Sequence, residues 1–298
     1  MRKGVLFVLL GAAMWATLPI FSRYVYNNGS DPVTAAAWRV YLAAGIFLVW
    51  FLFDGTLQKL RWKELPFYLL YGVVGVGGTF LFYMLTVEQL STAMAAMLLY
   101  TAPAFVILLN RIFYREPITK MKLVALLCTF GGCLLVVRGY DPAALSASGG
   151  GILIGLLSGI SYSMVTVLGR AAGRKHDSRT NAGLMILFGS LIFLFLRPPW
   201  KLAAPSAPLW MGYAGLALIG SVGAYLSYLK GLSCGLEGGI ASIIATAEPV
   251  IATLLGVLCF GDLLEIWQVL GIAVVFAGVA LPMLHGNITR NPAHPAQG

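Results

Sequence analysis

Long apolar runs separated by short polar connections make up nearly the whole chain. A helix that crosses a bilayer needs ~20 mostly apolar residues at a rise of ~1.5 Å each. Ten stretches meet that need: 4–26, 34–53, 65–86, 92–114 and 118–138, then 150–173, 181–197, 209–231, 238–260 and 266–284. The connections between them are short and leave no room for an extramembrane domain. The first run, MRKGVLFVLLGAAMWATLPIF, resembles a signal peptide. Its apolar part is too long for one, and no small-residue cleavage site precedes a soluble domain, so it reads as the first span.

Composition agrees with lipid as the solvent. The chain of 298 residues is 59% hydrophobic and 10% charged, with a mean hydropathy of +0.85. Soluble domains carry roughly 25% charged and 45–50% apolar residues. The net charge of +9 would suggest nucleic acid in a soluble protein. Here the basic residues sit in loops, where membrane topology uses them and nucleic acid is not a partner. With the N-terminus inside, one side holds fifteen of them: Arg2, Lys3, Lys59, Arg61, Lys63, Arg111, Arg115, Lys120, Lys122, Arg170, Arg174, Lys175, Arg179, Lys230 and Arg290. The other side holds four, Arg23, Arg138, Arg197 and Lys201, and Arg39 lies within a span. That bias predicts cytoplasmic termini. The four cysteines, Cys128, Cys133, Cys234 and Cys259, have neither metal-site spacing nor histidine neighbours and read as small buried residues. No metal or cofactor is called for.

The two halves match each other. At an offset of 147 residues, GVLFVLLGAAMWATLPIFSR (4–23) lies over GILIGLLSGISYSMVTVLGR (151–170): Gly4, Leu6, Leu9, Leu10 and Arg23 meet identical residues, and Trp15 meets Tyr162. At an offset of 146, Pro103 meets Pro249, Tyr114 meets Phe260, Glu116 meets Asp262, and Gly132 meets Gly278. Each unit holds an odd number of spans, so the second copy is expected to run through the membrane upside down. Inverted repeats of this kind belong to secondary transporters with a site near midplane. The expected fold is all-α and integral to the membrane: 1–140 forms a first five-helix repeat, 148–285 a second, inverted one, and 286–298 a cytoplasmic tail. One chain then contains its own pseudo-symmetry, and a monomer suffices.

Four stretches carry a family resemblance: GAAMWATLPIFSRY, SDPVTAAAWRVYLAAG, STAMAAMLLYTAPAFVILLNRIFYREPITKMKLVALLCTFGGCLLV and GGIASIIATAEPVIATLLGVLCFGDLLEIWQVLGIAVVFAGVAL. In order and spacing the chain resembles the drug/metabolite transporter superfamily, specifically the EamA-type carriers with two five-helix repeats. It looks most like the bacterial exporters of aromatic and other neutral amino acids. The resemblance implies export of amino acids or related metabolites across the bacterial inner membrane. The family's acid after the fourth span is Glu116 here; its second-repeat counterpart is Asp262, an aspartate in place of the commoner glutamate.

Only Arg39 and Glu248 are ionisable well inside spans. A central charge costs roughly 2.5–3.5 kcal/mol on insertion scales, so each must earn its position. Small residues share a helical stripe with Glu248, which predicts that it faces protein or a cavity rather than lipid. Three roles stay open for it: holding a substrate ammonium, carrying a proton, or hydrogen-bonding a neighbouring helix near Pro249. Arg39 can bind a carboxylate, pair with an acid or serve structure. Trp15, Tyr83, Tyr100, Tyr162, Tyr225 and Glu248 are the candidate substrate-binding residues; an aromatic wall with few cations suits a neutral, partly apolar solute. Pro19, Pro103 and Pro249 are the candidate hinge or gating positions, because proline removes a helix hydrogen bond and bends the helix. Spans one, three, four, six, eight and nine are expected to line the cavity, and five and ten to pack. GLSCG (231–235) has the form of a nucleophile elbow but lacks the strand-turn-helix setting and a histidine partner. No cluster of acids, histidines or ligands marks a membrane enzyme.

Overall fold

The structure, a computed structural model, describes residues 2–141 and 149–284. The expected tail, 286–298, lies outside them. Among the described residues there is no strand. Ten long helical segments follow one another: α1 Arg2–Asn27, α2 Pro32–Asp54, α3 Trp62–Gln89, α4 Thr92–Tyr114, α5 Lys120–Val136, α6 Gly149–Ala172, α7 Ser178–Leu196, α8 Ala207–Ser233, α9 Gly238–Phe260 and α10 Ile266–Leu284. Among the described residues nine are long and apolar enough to cross a membrane. The other, α5, has 17 residues, at the short limit for a span. Its ends explain the difference from the expected 118–138. The Thr119 side chain caps it by accepting the Lys122 N–H, and Arg138 turns into the left-handed region at φ 57°.

Four segments are broken, α7 at Ser190 and three others just before a proline. Those three interruptions fall at Thr17, at Tyr100–Thr101 and at Thr246, ahead of Pro19, Pro103 and Pro249. In each the threonine hydroxyl donates to the carbonyl three residues back: Thr17 to Met14 at 2.7 Å, Thr101 to Leu98 at 2.5 Å and Thr246 to Ile243 at 2.5 Å. A proline cannot donate and pushes away the carbonyl four residues before it. The carbonyl that accepts each threonine hydroxyl also accepts the threonine backbone N–H, so the threonine tightens the last turn before each break through two donors.

Two further segments change their winding. Tyr71–Gly77 in α3 and Leu218–Gly223 in α8 are π-helical. The glycine-dense YGVVGVGG is therefore helix with more residues per turn. Its glycines admit a neighbouring backbone: a Cβ on Gly72 would lie 2.5 Å from the Gly189 nitrogen of α7.

The dominant packing runs between the halves. α1 lies on α8 as α6 lies on α3; α4 lies on α6 as α9 lies on α1; α5 lies along α10. The α1–α8 contact is backbone on backbone: a Cβ on Gly11 would sit 3.0 Å from the Ala224 carbonyl, and one on Gly231 would sit 2.8 Å from the Gly4 carbonyl. The α5–α10 seam is built likewise, with a Cβ on Gly132 falling 2.8 Å from the Gly271 carbonyl and the reverse contact also 2.8 Å. The expectation that Gly132 and Gly278 serve packing holds. Small residues at such crossings let helices approach without hydrophobic driving force.

Candidate functional site

The α1–α8 glycine contact puts Trp15 against the tyrosines of α6 and α8. Its ring centroid lies 5.3 Å from those of Tyr225 and Tyr228 and 6.1 Å from that of Tyr162. The Tyr162 and Tyr225 rings meet it edge-on. Each such pair contributes ~0.5–1.5 kcal/mol beyond burial. Tyr228 is fixed by a 2.6 Å hydrogen bond with the Thr166 hydroxyl. Trp15, Tyr225 and Tyr228 are buried, while Tyr162 keeps part of its surface open.

What Tyr162 opens onto is a cavity at the breaks of α4 and α9. Tyr100 and Pro103 of α4, Tyr162 and Thr166 of α6, Tyr228 of α8 and Glu248 of α9 line it. Its volume is about 20 Å³. That is room for little more than a water, so the cavity is narrow in this conformation. Glu248 lies in the first turn of the helix that restarts after Thr246. A helix N-terminus carries partial positive charge, which favours a carboxylate there. Tyr83 of α3 is half-buried and within electrostatic reach of Glu248.

The six candidate binding residues therefore gather in one region. Tyr100, Tyr162 and Glu248 line the cavity directly. Trp15 and Tyr225 stand behind Tyr162, and Tyr83 approaches through its electrostatic reach to Glu248. Of the three prolines Pro103 is at the wall, whereas Pro19 and Pro249 stand beside breaks without lining it. Sequence reasoning missed the hydroxyl lining of Thr166, Ser242 and Thr246. For Thr246 the available signal was a threonine three residues before a proline.

Arg39 of α2 also reaches this region. Its Nε donates to the Ser221 hydroxyl at 2.7 Å and its Nη2 to the Gly220 carbonyl at 2.8 Å. Both acceptors lie in the π-helical stretch of α8, where wider winding displaces carbonyls from their helical partners. The guanidinium also lies 5.1 Å from the centroid of the Phe80 ring.

Among the described residues no three His, Cys, Asp or Glu side chains gather as metal ligands. The four cysteines are free thiols.

The profile of the EamA-like transporter family matches residues 2–138 and again residues 149–284. The chain belongs to that family. This transporter is 27% identical over 285 residues to an inner membrane transporter of Salmonella typhimurium named YicL, covering 94% of this chain and 95% of that one. It is 28% identical over 281 residues to a transporter of Archaeoglobus fulgidus, covering 94% and 96%. Protein PecM of Dickeya dadantii is 26% identical over 282 residues, covering 92% and 90%. A solved crystal structure shares the fold with a TM-score of 0.80 at 18% identity, over 96% of the transporter and 98% of that chain.

Proposed function

We propose that this transporter exports neutral or aromatic amino acids, or related small metabolites, across the bacterial inner membrane by alternating access. The observation that carries the reading is the aromatic cavity with a single carboxylate, Glu248, at its wall. Rings of Tyr100, Tyr162 and, behind them, Trp15 offer apolar faces for a side chain; Glu248 offers an acceptor for an ammonium. In this reading ten helices form two inverted five-helix repeats, 1–140 and 148–285, with both termini in the cytoplasm and the tail following. The double match to the family profile and the exchanged packing of α1 on α8 and α6 on α3 support the duplication. The excess of basic residues in one set of loops supports the orientation.

The narrowness of the cavity means that a phenylalanine-sized solute enters only when the helices part. The breaks at Pro19, Pro103 and Pro249 are where they bend. At each the proline donates nothing and the threonine N–H and hydroxyl share one carbonyl, so the backbone ladder is thinner there than in an unbroken helix.

Counterflow in liposomes tests this. Purified protein is reconstituted with unlabelled amino acids inside and trace labelled phenylalanine, threonine or methionine outside. Label accumulates above protein-free liposomes if the reading is right. Accumulation of amphipathic cations or nucleosides, and of no amino acid, replaces the substrate class while leaving a carrier.

A further inference from the structure

Two opposite charges sit in the interior of α2 and α9, and neither is spent on the other. Arg39 and Glu248 are within mutual electrostatic reach. They form no ion pair, and among the described residues neither pairs with any other charged group. A buried pair meant only to hold helices together closes to contact, because separated charges forfeit the attraction that offsets their desolvation.

Each group also keeps unused hydrogen-bonding capacity, Glu248 at the cavity wall and Arg39 beside the cavity rather than in its lining. Arg39 is anchored through Nε and Nη2, while Nη1 carries no hydrogen bond among the described residues. Glu248 makes no hydrogen bond among them either. Neither side chain is sealed: both keep part of their surface open, and no atom of either is a fully buried unsatisfied one. Tyr162 and Tyr225 lie within electrostatic reach of both charges.

We propose that Arg39 is the carboxylate-binding pole of the cavity and Glu248 its ammonium-binding pole, so that the site selects a zwitterionic α-amino acid over a monopolar amine or acid. The inference rests on the central cavity being the transport site. An α-amino acid carries both charged groups on one carbon, so once the helices part it offers a carboxylate to the guanidinium and an ammonium to the carboxylate at the same time. Loading such a solute leaves the site's net charge unchanged, which suits passage through a low-dielectric interior. The anchoring of Arg39 matters because a guanidinium offers planar, forked recognition of a carboxylate that a lysine does not reproduce. The apolar side chain then rests against the rings of Tyr162 and Tyr100.

Counterflow with three solutes sharing one ring separates the poles: phenylalanine, phenethylamine, which lacks the carboxylate, and 3-phenylpropionate, which lacks the ammonium. The wild type should accumulate phenylalanine and neither analogue. Arg39→Gln should lose phenylalanine about tenfold, the scale of one lost charged contact, while phenethylamine rises relative to it. Glu248→Gln should do the converse with 3-phenylpropionate. Arg39→Lys provides a check that does not depend on the glutamine variant folding: KM for phenylalanine should rise with the melting temperature held. Phenylalanine transport and its discrimination left intact in Arg39→Gln, or an unchanged KM in Arg39→Lys, overturns the assignment of Arg39 alone. A wild-type protein that takes phenethylamine as well as phenylalanine overturns zwitterion selection while sparing the cavity as the site. A wild type that moves none of the three overturns the amino-acid reading itself.

Discussion

The two ends of the bundle carry corresponding trios, an aromatic, an acid and an arginine, in opposite states. After α4, Arg115 turns the chain in the left-handed region at φ 55° and presents Glu116; after α9, Gly261 does so at φ 69° and presents Asp262. Glu116 pairs with Arg170, which lies over the Tyr114 ring at 4.3 Å. Asp262 pairs with Arg23 at 3.5 Å, and Arg23 lies over the Phe260 ring at 4.2 Å. At the first end the side chains are 9% and 7% exposed, and at the second 50% and 53%. A second buried pair, Lys122 at the start of α5 with Glu237 of the α8–α9 connection at 2.5 Å, lies within electrostatic reach of Glu116. Equivalent chemistry is thus sealed at one end and wet at the other. On the proposed alternating-access reading, the buried trio marks the closed end and the exposed trio the end that would close in turn.

The largest test of that comparison is the loss of one cation at each end. Arg170→Ala leaves Glu116 buried without its counter-charge, and breaking a buried pair costs roughly 3–5 kcal/mol. Arg23→Ala removes an exposed pair, for which about 1 kcal/mol is the upper range. A thermal melt in detergent should show a large drop for the first variant and almost none for the second; equal drops would break the comparison. Removing both members at the sealed end, Arg170→Leu with Glu116→Leu, should recover much of the melting temperature while leaving transport impaired. Accessibility sharpens it next. In a background without the four native cysteines, Asp262→Cys should react with a polar maleimide about tenfold faster than Glu116→Cys, since thiol reactivity follows exposure. Added substrate that cycles the carrier should narrow the ratio. Ring removal follows: Tyr114→Leu should cost more than Phe260→Leu, because a desolvated cation–π contact is worth about 2 kcal/mol and an exposed one about 0.5–1, and Tyr114 also donates to the Val167 carbonyl at 2.7 Å.

The smallest effect is a pH dependence beside the wet end. Burial works to raise the Asp31 carboxyl, but hydrogen bonds from Thr34 and the charge of Arg197 outweigh it, and its pKa lies below the ordinary 3.8. A depressed acid contributes stability above its unfolded pKa and loses it as the pH falls through the folded one. Stability should therefore decline below about pH 4 in the wild type and less in Asp31→Asn, by under about 1 kcal/mol for so exposed a group. Melting curves from pH 3 to 7 check this, and identical acid limbs in both proteins would remove Asp31 from the account.

Hydropathy located the helices because lipid imposes a length on any apolar segment, and the ends moved by only a few residues. What hydropathy cannot register is a change inside a segment. The breaks at Thr17, Thr101 and Thr246 keep every residue apolar or small, so the run reads as continuous. The winding of Tyr71–Gly77 and Leu218–Gly223 shows in composition as glycine but leaves no trace in periodicity. Glu248 was conspicuous as a charge in an apolar run, and its place at a helix restart follows from Pro249. Arg39 was equally conspicuous, yet its anchors, Ser221 and Gly220, lie in the other half of the chain, and no local pattern links them. Thr166 and Ser242 were overlooked because a lone hydroxyl in a span more often bonds its own helix backbone, as Ser242 does with the Gly239 carbonyl.

The exchanged packing of the halves has a consequence for how the chain is made. α1 rests on α8, α3 on α6 and α7, and α5 on α10, so when synthesis reaches Asp141 the principal partners of the first five segments do not yet exist. The nascent half must sit in the bilayer with its glycine faces against lipid or against provisional neighbours until the second half is inserted. A ribosome that stops midway releases a product with no packed interior, ready for membrane proteases rather than for work. The converse also holds: two half-length polypeptides, supplied separately and inserted in the required orientations, have every major contact available to them, and the peptide link between the halves contributes proximity rather than architecture.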